Sequence, residues 1–376
     1  MKQLIFYNFI RPYYEDFSGD IEPSVLRLIT SIYLGRFNCL NDRFNILNKD
    51  AEYNLLSRND NIDYINNLPN KSFEEICNER SQEIIDYANK IDKDIYVSWS
   101  GGVDSTCVVC SLLMNDKLDK SRFHLIFSQE SIQEYPLFYE LMLKNKIDMI
   151  NAVQDVYKFR NVVGDNIAVN GMCGDQLDGS NLHTMKYSSV GYFNNWKDDI
   201  LKILFPKFRN YQDKLIAGIE DYAKVFSINL NIFGEFAWLF NYGVKWTYVA
   251  EYMKCLHINP DTSIAFFDTN DFSHYGLMNF HKRSLKKQFS SYEYKTDWKK
   301  IIYKYTKDDD YFLNKGKDAN FFNYEDKAYF GMSVADNSGY YIFQDKTPQV
   351  VKEIMLPYIK DEYKDFYIVD YRPEAH

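Results

Sequence analysis

Asp94-Ile95-Tyr96-Val97-Ser98-Trp99-Ser100-Gly101-Gly102-Val103-Asp104-Ser105 is the stretch that decides the fold. Its first half is short and apolar between polar neighbours, which predicts a strand over Asp94–Trp99. Beyond the glycines come Val108, Val109, Leu112, Leu113 and Met114, which predict a helix over Ser105–Met114. Paired glycines turn tightly and let the backbone approach a ligand without Cβ clashes. Successive N–H groups of such a turn form an anion nest, and the helix adds its positive N-terminal end. Ser100 and Ser105 add hydroxyl donors. Asp104 repels phosphate directly, so its natural partner is a cation that bridges phosphate oxygens, with Mg2+ the common choice. The string is neither a Walker loop nor a G-x-G-x-x-G dinucleotide site.

Working outward, Ser72 followed by Glu75 predicts a capping box. The helix it starts runs through Ile76, Ile84, Ile85 and Tyr87 to about Ile91. Downstream, Phe123–Phe127 is an expected strand, Pro136–Asn145 a helix and Met149-Ile150 part of a short strand. Asn166–Asn170 is a further strand ending in a second glycine-rich turn. Strands alternating with helices predict an α/β fold with a doubly wound parallel sheet. Past about residue 185, the aromatic stretches Asp213–Phe226 and Phe233–Leu256 predict a helical C-terminal region packed on that core. Residues 1–71, with Leu4–Tyr7 as a strand and Asn/Asp-rich loops, form an expected small N-terminal α+β cap. Residues 72–325 form the main domain, helical from about 186. Residues 326–376 form an extension in which Tyr340–Phe343 is a candidate strand.

Composition narrows the function. With 46% hydrophobic and 26% charged residues among 376, the chain reads as globular over most of its length, with Asp370–His376 a loose end. A net charge of -9 disfavours non-specific nucleic-acid binding. No apolar run reaches membrane-spanning length, and Met1-Lys2-Gln3 leads into an apolar strand rather than a signal peptide. The expected location is the cytosol. The six cysteines are scattered, which predicts reduced thiols. Cys107 and Cys110 share one face of the expected helix and read as core thiols. The six histidines show no metal-ligand spacing; His183, just past the second turn, is the one near the expected pocket.

The S-G-G-x-D-S string resembles the pyrophosphate loop of the N-type ATP pyrophosphatase superfamily. Asn170-Gly171-Met172-Cys173-Gly174-Asp175-Gln176-Leu177-Asp178-Gly179-Ser180 is similar to the S-G-E-G-x-D-E-[LIV]-F-G-G stretch of its asparagine synthetase-like branch. Gly171, Asp175, Leu177 and Gly179 are in register. Ala265-Phe266-Phe267-Asp268 resembles that branch's P-F-L-D, and the stretch from Tyr311 to Phe321 its closing R-x-K-x-x-F. The resemblance covers about residues 72–325. It implies an adenine nucleotide alpha-hydrolase-like fold and an ATP-dependent ligase that forms AMP and pyrophosphate. A carboxylate or amide oxygen of a small-molecule substrate is adenylated, and an amine or ammonia then displaces AMP.

Carried over position by position, Ser100, Gly101, Gly102, Val103, Asp104 and Ser105 cradle the ATP phosphates, and Ser98, Phe127 and Gly171 flank adenosine. Asp104 and Asp175 hold Mg2+. Asp104, Asp175 and Lys317 form the implied catalytic set, with Lys315 the neighbouring candidate for the phosphate-contacting lysine. Two departures stand out. Met172 occupies the position of a glutamate thought to assist the amine, and methionine takes no proton. Residue 2 is Lys2 rather than a glutaminase nucleophile, so nitrogen is expected from free ammonia, a separate amidotransferase or an amine substrate. Two other readings remain open: a nucleobase- or tRNA-modifying enzyme of the same superfamily, and an ATP-binding protein that has lost catalysis.

Overall fold

The computed structural model describes residues 3–7, 60–151, 161–178, 195–198, 212–246, 249–250, 262–282, 294–316, 331–336 and 339–342. Lys317 and His183 lie outside these. The chain forms two compact units, each assembled from separate stretches, where the sequence reading drew contiguous segments. One comprises Met1–Asp60, Tyr187–Tyr248 and Phe322–His376; the other comprises Asn61–Lys186 and Val249–Phe321.

The second unit carries both glycine turns. Its elements are α1 (Ile62–Asn66), α2 (Phe73–Ile91), β1 (Ile95–Ser98), α3 (Val103–Leu113), β2 (Phe123–Phe127), α4 (Gln129–Glu134), α5 (Pro136–Lys144), β3 (Asp148–Asn151), β4 (Ile167–Asn170) and α6 (Gly174–Asp178). They continue with β5 (Ser263–Ala265), α7 (Asn270–Lys282), α8 (Thr296–Thr306) and α9 (Asp309–Asn314). The five strands form one sheet in the order β3-β2-β1-β4-β5, parallel throughout. Ile95 is in register with Phe123 on one side and Ile167 on the other. The α/β class and parallel sheet expected from strand–helix alternation are thus present.

Local chemistry explains the elements. Ser72 caps α2 through Glu75 N–H while the Glu75 carboxylate accepts from Ser72 N–H at 2.7 Å, the reciprocal box read from the sequence. Pro136 opens α5, where a missing N–H costs no hydrogen bond. In α3 every residue except Asp104 is buried. A helix apolar on all sides belongs in a core, and the exception faces the site. Cys107 and Cys110 are fully buried in α3, and burial pushes both thiols well above the ordinary range, so they pack rather than react.

The Ala265–Asp268 stretch has a structural job. Phe266 N–H extends the β5 ladder to Asn170 O at 2.9 Å, and the Phe266 and Phe267 rings are fully buried. Phe267 joins Phe73, Phe272, Tyr275 and Trp298 in an aromatic cluster, with Phe73 and Trp298 centroids 4.1 Å apart. That cluster ties α2 to α7 and α8.

In the other unit the described helices include Gln212–Val225 and Phe233–Phe240. The second was expected to continue to Leu256. It stays helical through a π-helical turn over Asn241–Lys245, with residues 246 and 249–250 helical again, and residues 251–261 lie outside the described part. Gly243 packs against the buried Tyr222 ring. Gln3–Tyr7, Gly331–Asp336 and Gly339–Ile342 form an antiparallel sheet with 331–336 central.

Candidate functional site

Strands are added outward from β1 through β2 and β3 on one side, and from β4 through β5 on the other. The order therefore reverses between β1 and β4, and open parallel sheets bind ligands at the carboxyl ends of such strands. The Ser100–Ser105 turn leaves β1, and the Gly171–Gly174 turn leaves β4. Ser98 ends β1 opposite Ile126, and the nine-tenths-buried Phe127 ends β2 beside it. Ser98, Phe127, the first turn and Gly171 thus lie along one edge.

The first turn is held in shape from within. Gly101 has φ +84, and a Cβ there would meet Ser131 O at 2.6 Å and Glu134 Cβ at 2.7 Å, so only glycine fits. Gly102 N-caps α3 with no side-chain cap of its own, and the first amides of a helix have no intrahelical acceptor. Ser100 N–H donates to Ser105 Oγ at 3.1 Å, and the two hydroxyls meet at 3.0 Å. Thr106 Oγ1 accepts from Trp99 Nε1 at 3.0 Å and donates to Gly102 O at 2.8 Å. Ser131 Oγ donates to Trp99 O at 2.8 Å, fastening the turn to α4.

The two turns touch. A Cβ on Gly171 would stand 2.9 Å from Ser105 N and 3.1 Å from Ser105 Cα, and one on Gly174 would run into the Asp104 carboxylate. Cys173 adopts φ +71 between them, and Met172 N–H donates to Asn170 Oδ1 at 3.0 Å. This geometry turns the chain into α6, whose first turn carries Asp175.

Between the carboxylates lies a residue the sequence reading missed. Lys295 is fully buried, and its Nζ donates to Asp104 Oδ2 and to Asp175 Oδ1, the latter at 2.6 Å. Burial disfavours its charge, but Asp104 and Asp175 outweigh burial and hold the lysine pKa well above its ordinary value. The Tyr294 and Trp298 rings flank the ammonium, with centroids 5.4 and 5.9 Å away. A signal for Lys295 was present: Lys295, Trp298, Lys299 and Ile302 fall at i, i+3, i+4 and i+7, so Lys295, the left-handed cap (φ +46) just before α8, lies in line with the buried stripe of that helix. Lysines on such a stripe need buried partners.

Lys299 lies on the same face and is also fully buried. Its Nζ donates to Lys315 O at 3.3 Å, and burial pushes its pKa down to about 8, with Asp178 opposing the fall. Lys315 ends α9, and its Nζ pairs with Glu134 Oε1 at 3.1 Å. The Tyr311 hydroxyl of α9 donates to Gly101 O at 3.5 Å, and its ring stacks on Tyr135 with centroids 3.9 Å apart. Glycine cradle, α4 and α9 are therefore one packed assembly.

The structure brings together Ser100–Ser105, Asp104, Gly171 and Asp175. Lys317 falls outside the described residues, and Lys315 stands at the cradle. Mg2+ is usually held by one or two carboxylates together with substrate phosphates. Asp104 and Asp175, converging at the mouth of an anion nest and each giving one oxygen to Lys295, fit that donor set. No group of three or more His, Cys, Asp or Glu suited to a metal occurs among the described residues. No protein-family model, curated protein or solved structure matches this chain.

Proposed function

We propose that this protein is an ATP-dependent adenylating ligase of the asparagine synthetase-like type. The observation that carries this reading is the meeting of two glycine turns at the sheet's switch point. They bring Asp104 and Asp175 onto one buried lysine beside an anion nest. The β and γ phosphates of ATP sit on the Gly101–Ser105 amides and the seryl hydroxyls, and adenosine lies along the edge formed by Ser98, Phe127 and Gly171. Mg2+ on Asp104 and Asp175 supplies charge neutralisation of the phosphate oxygens.

A carboxylate or amide oxygen of the substrate attacks the α-phosphorus in line with the bond to the β-phosphate oxygen. That bond breaks and pyrophosphate leaves with the electron pair. An amine or ammonia then attacks the activated carbon, AMP departs, and the amine proton passes to a base other than Met172. Lys295 holds the two carboxylates in place, and the amides of the cradle stabilise charge on the leaving pyrophosphate.

The test is product identity. Purified protein, ATP, Mg2+ and a panel of carboxylic acids with ammonia or amines should release AMP and pyrophosphate rather than ADP and phosphate. Asp104→Asn should reduce that release by roughly 100-fold or more, the scale of losing one electrostatic partner of a transition state. Release of ADP, or equal AMP release from wild type and Asp104→Asn, would rule the assignment out.

A further inference from the structure

The cradle has a carboxylate in its wall. Glu134 Cβ packs on Gly101, and the Glu134 Oε1 atom lies 3.4 Å from where a Gly102 Cβ would stand. Gly102 is the cap of α3, the residue whose following amides face an incoming anion. A fixed negative charge there opposes phosphate binding. The same Oε1 atom is paired with Lys315 Nζ at 3.1 Å, and the two side chains are only 20% and 10% exposed.

Contacts on both sides hold the Lys315 backbone at this spot. Tyr311, one turn earlier, is anchored on Gly101 O. Lys315 N–H closes α9 onto Tyr311 O at 3.1 Å. Lys299 Nζ grips the Lys315 carbonyl. The backbone is therefore fixed while the flexible four-carbon stem leaves the ammonium able to move. Lys295 is committed instead to Asp104 and Asp175.

We propose that Glu134 competes with phosphate for Lys315, the lysine the resemblance already makes a candidate phosphate contact: Glu134 holds it when the cradle is empty, and the β or γ phosphate takes it when ATP is bound. Glu134 is a positioning residue in this exchange. It keeps the ammonium in place beforehand and takes it back when the chemistry is over, which lowers the affinity for pyrophosphate and favours its release. The inference rests on the cradle binding ATP phosphates, and it names the side chains that set how tightly they are held.

The experiment is calorimetric titration of the full chain with Mg2+–pyrophosphate and, separately, with AMP, which has no β or γ phosphate. Lys315→Met should weaken Mg2+–pyrophosphate roughly tenfold, the scale of one charge-assisted hydrogen bond, and leave AMP affinity unchanged. Lys315→Arg, which keeps the charge, should stay within about threefold of wild type. Glu134→Gln should tighten Mg2+–pyrophosphate by about three- to tenfold, again without changing AMP affinity. That tightening should shrink in the Lys315→Met background, because there is no longer a lysine to free.

Undiminished pyrophosphate binding by Lys315→Met overturns the proposal, as does weaker binding by Glu134→Gln. Equal tightening by Glu134→Gln in both backgrounds also overturns the exchange, since Glu134 would then act by repulsion alone. If wild type binds neither AMP nor Mg2+–pyrophosphate, the nucleotide reading itself fails, and the exchange with it.

Discussion

Lys295 shows what one side chain decides at this site. Asp104 comes from the helix after β1 and Asp175 from the turn after β4, and two carboxylates drawn together repel each other. The ammonium between them reverses that, and removing it leaves two poorly compensated charges. Lys295→Met is expected to cost about 2–4 kcal/mol, the range for breaking a buried pair reduced because the carboxylates are 22% and 23% exposed. Millimolar Mg2+ should restore part of that loss, since a cation that binds the native carboxylates stabilises the fold by mass action. Urea unfolding with and without Mg2+ checks both points. A variant as stable as wild type, or one indifferent to Mg2+, would remove Lys295 from this role. The lysine escaped the sequence reading because its spacing from Trp298, Lys299 and Ile302 indicates a buried stripe but not the partners that would hold a charge there. Its partners lie 191 and 120 positions away.

The same contrast recurs among the elements. α2 was legible to its ends, because its start is set by Ser72 and Glu75 and its body by an apolar stripe within the same nineteen residues. The strands β1 and β2 were legible because short apolar runs with polar borders code for buried parallel strands. β5 was not read as a strand. At three residues it carries too little pattern, and its place is set by the ladder to Asn170 and the aromatic cluster beneath it. The contact between the β4 turn and the start of α3 is the junction of the site, and it should be intolerant of a single methyl group. Gly171→Ala would push a Cβ to within 2.9 Å of Ser105 N, where the obstacle is backbone and cannot rotate away. A loss of about 1–3 kcal/mol in unfolding free energy is expected, together with weakened ATP binding, since the strain falls on the cradle itself. Full retention of both would mean that the two turns are not in register.

For the molecule as a whole, buried ionisation is read out as stability. The Lys299 ammonium is pushed to about 8 from an ordinary 10.5, so between those values the unfolded chain holds a proton that the folded chain has given up. Stability therefore rises with pH across that window, and the penalty for charging the buried amine is felt in full below pH 8. Lys299→Met removes the penalty. Its stability relative to wild type should be greatest at neutral pH and shrink by on the order of 3 kcal/mol as pH climbs from 8 to 10.5. A pH-independent difference between the two proteins would show that Lys299 ionises normally. Global charge acts differently: at -9 it discourages polyanionic partners but says nothing of the cradle, where the local amides and the paired charges set the field.

The sequence by itself determined the α/β class, most strands and helices of the second unit, the glycine turns and the residues that line them. Those features are written in short-range patterns: periodicity, caps, and glycines where a backbone must turn. Tertiary structure alone decided that the sheet order reverses between β1 and β4, that Asp104 and Asp175 meet on Lys295, and that Lys315 and Glu134 close one wall of the cradle. Strand order and ion pairing depend on which distant segments share a core, and the free energy that selects them comes from burial across the whole unit, which no local window of residues contains.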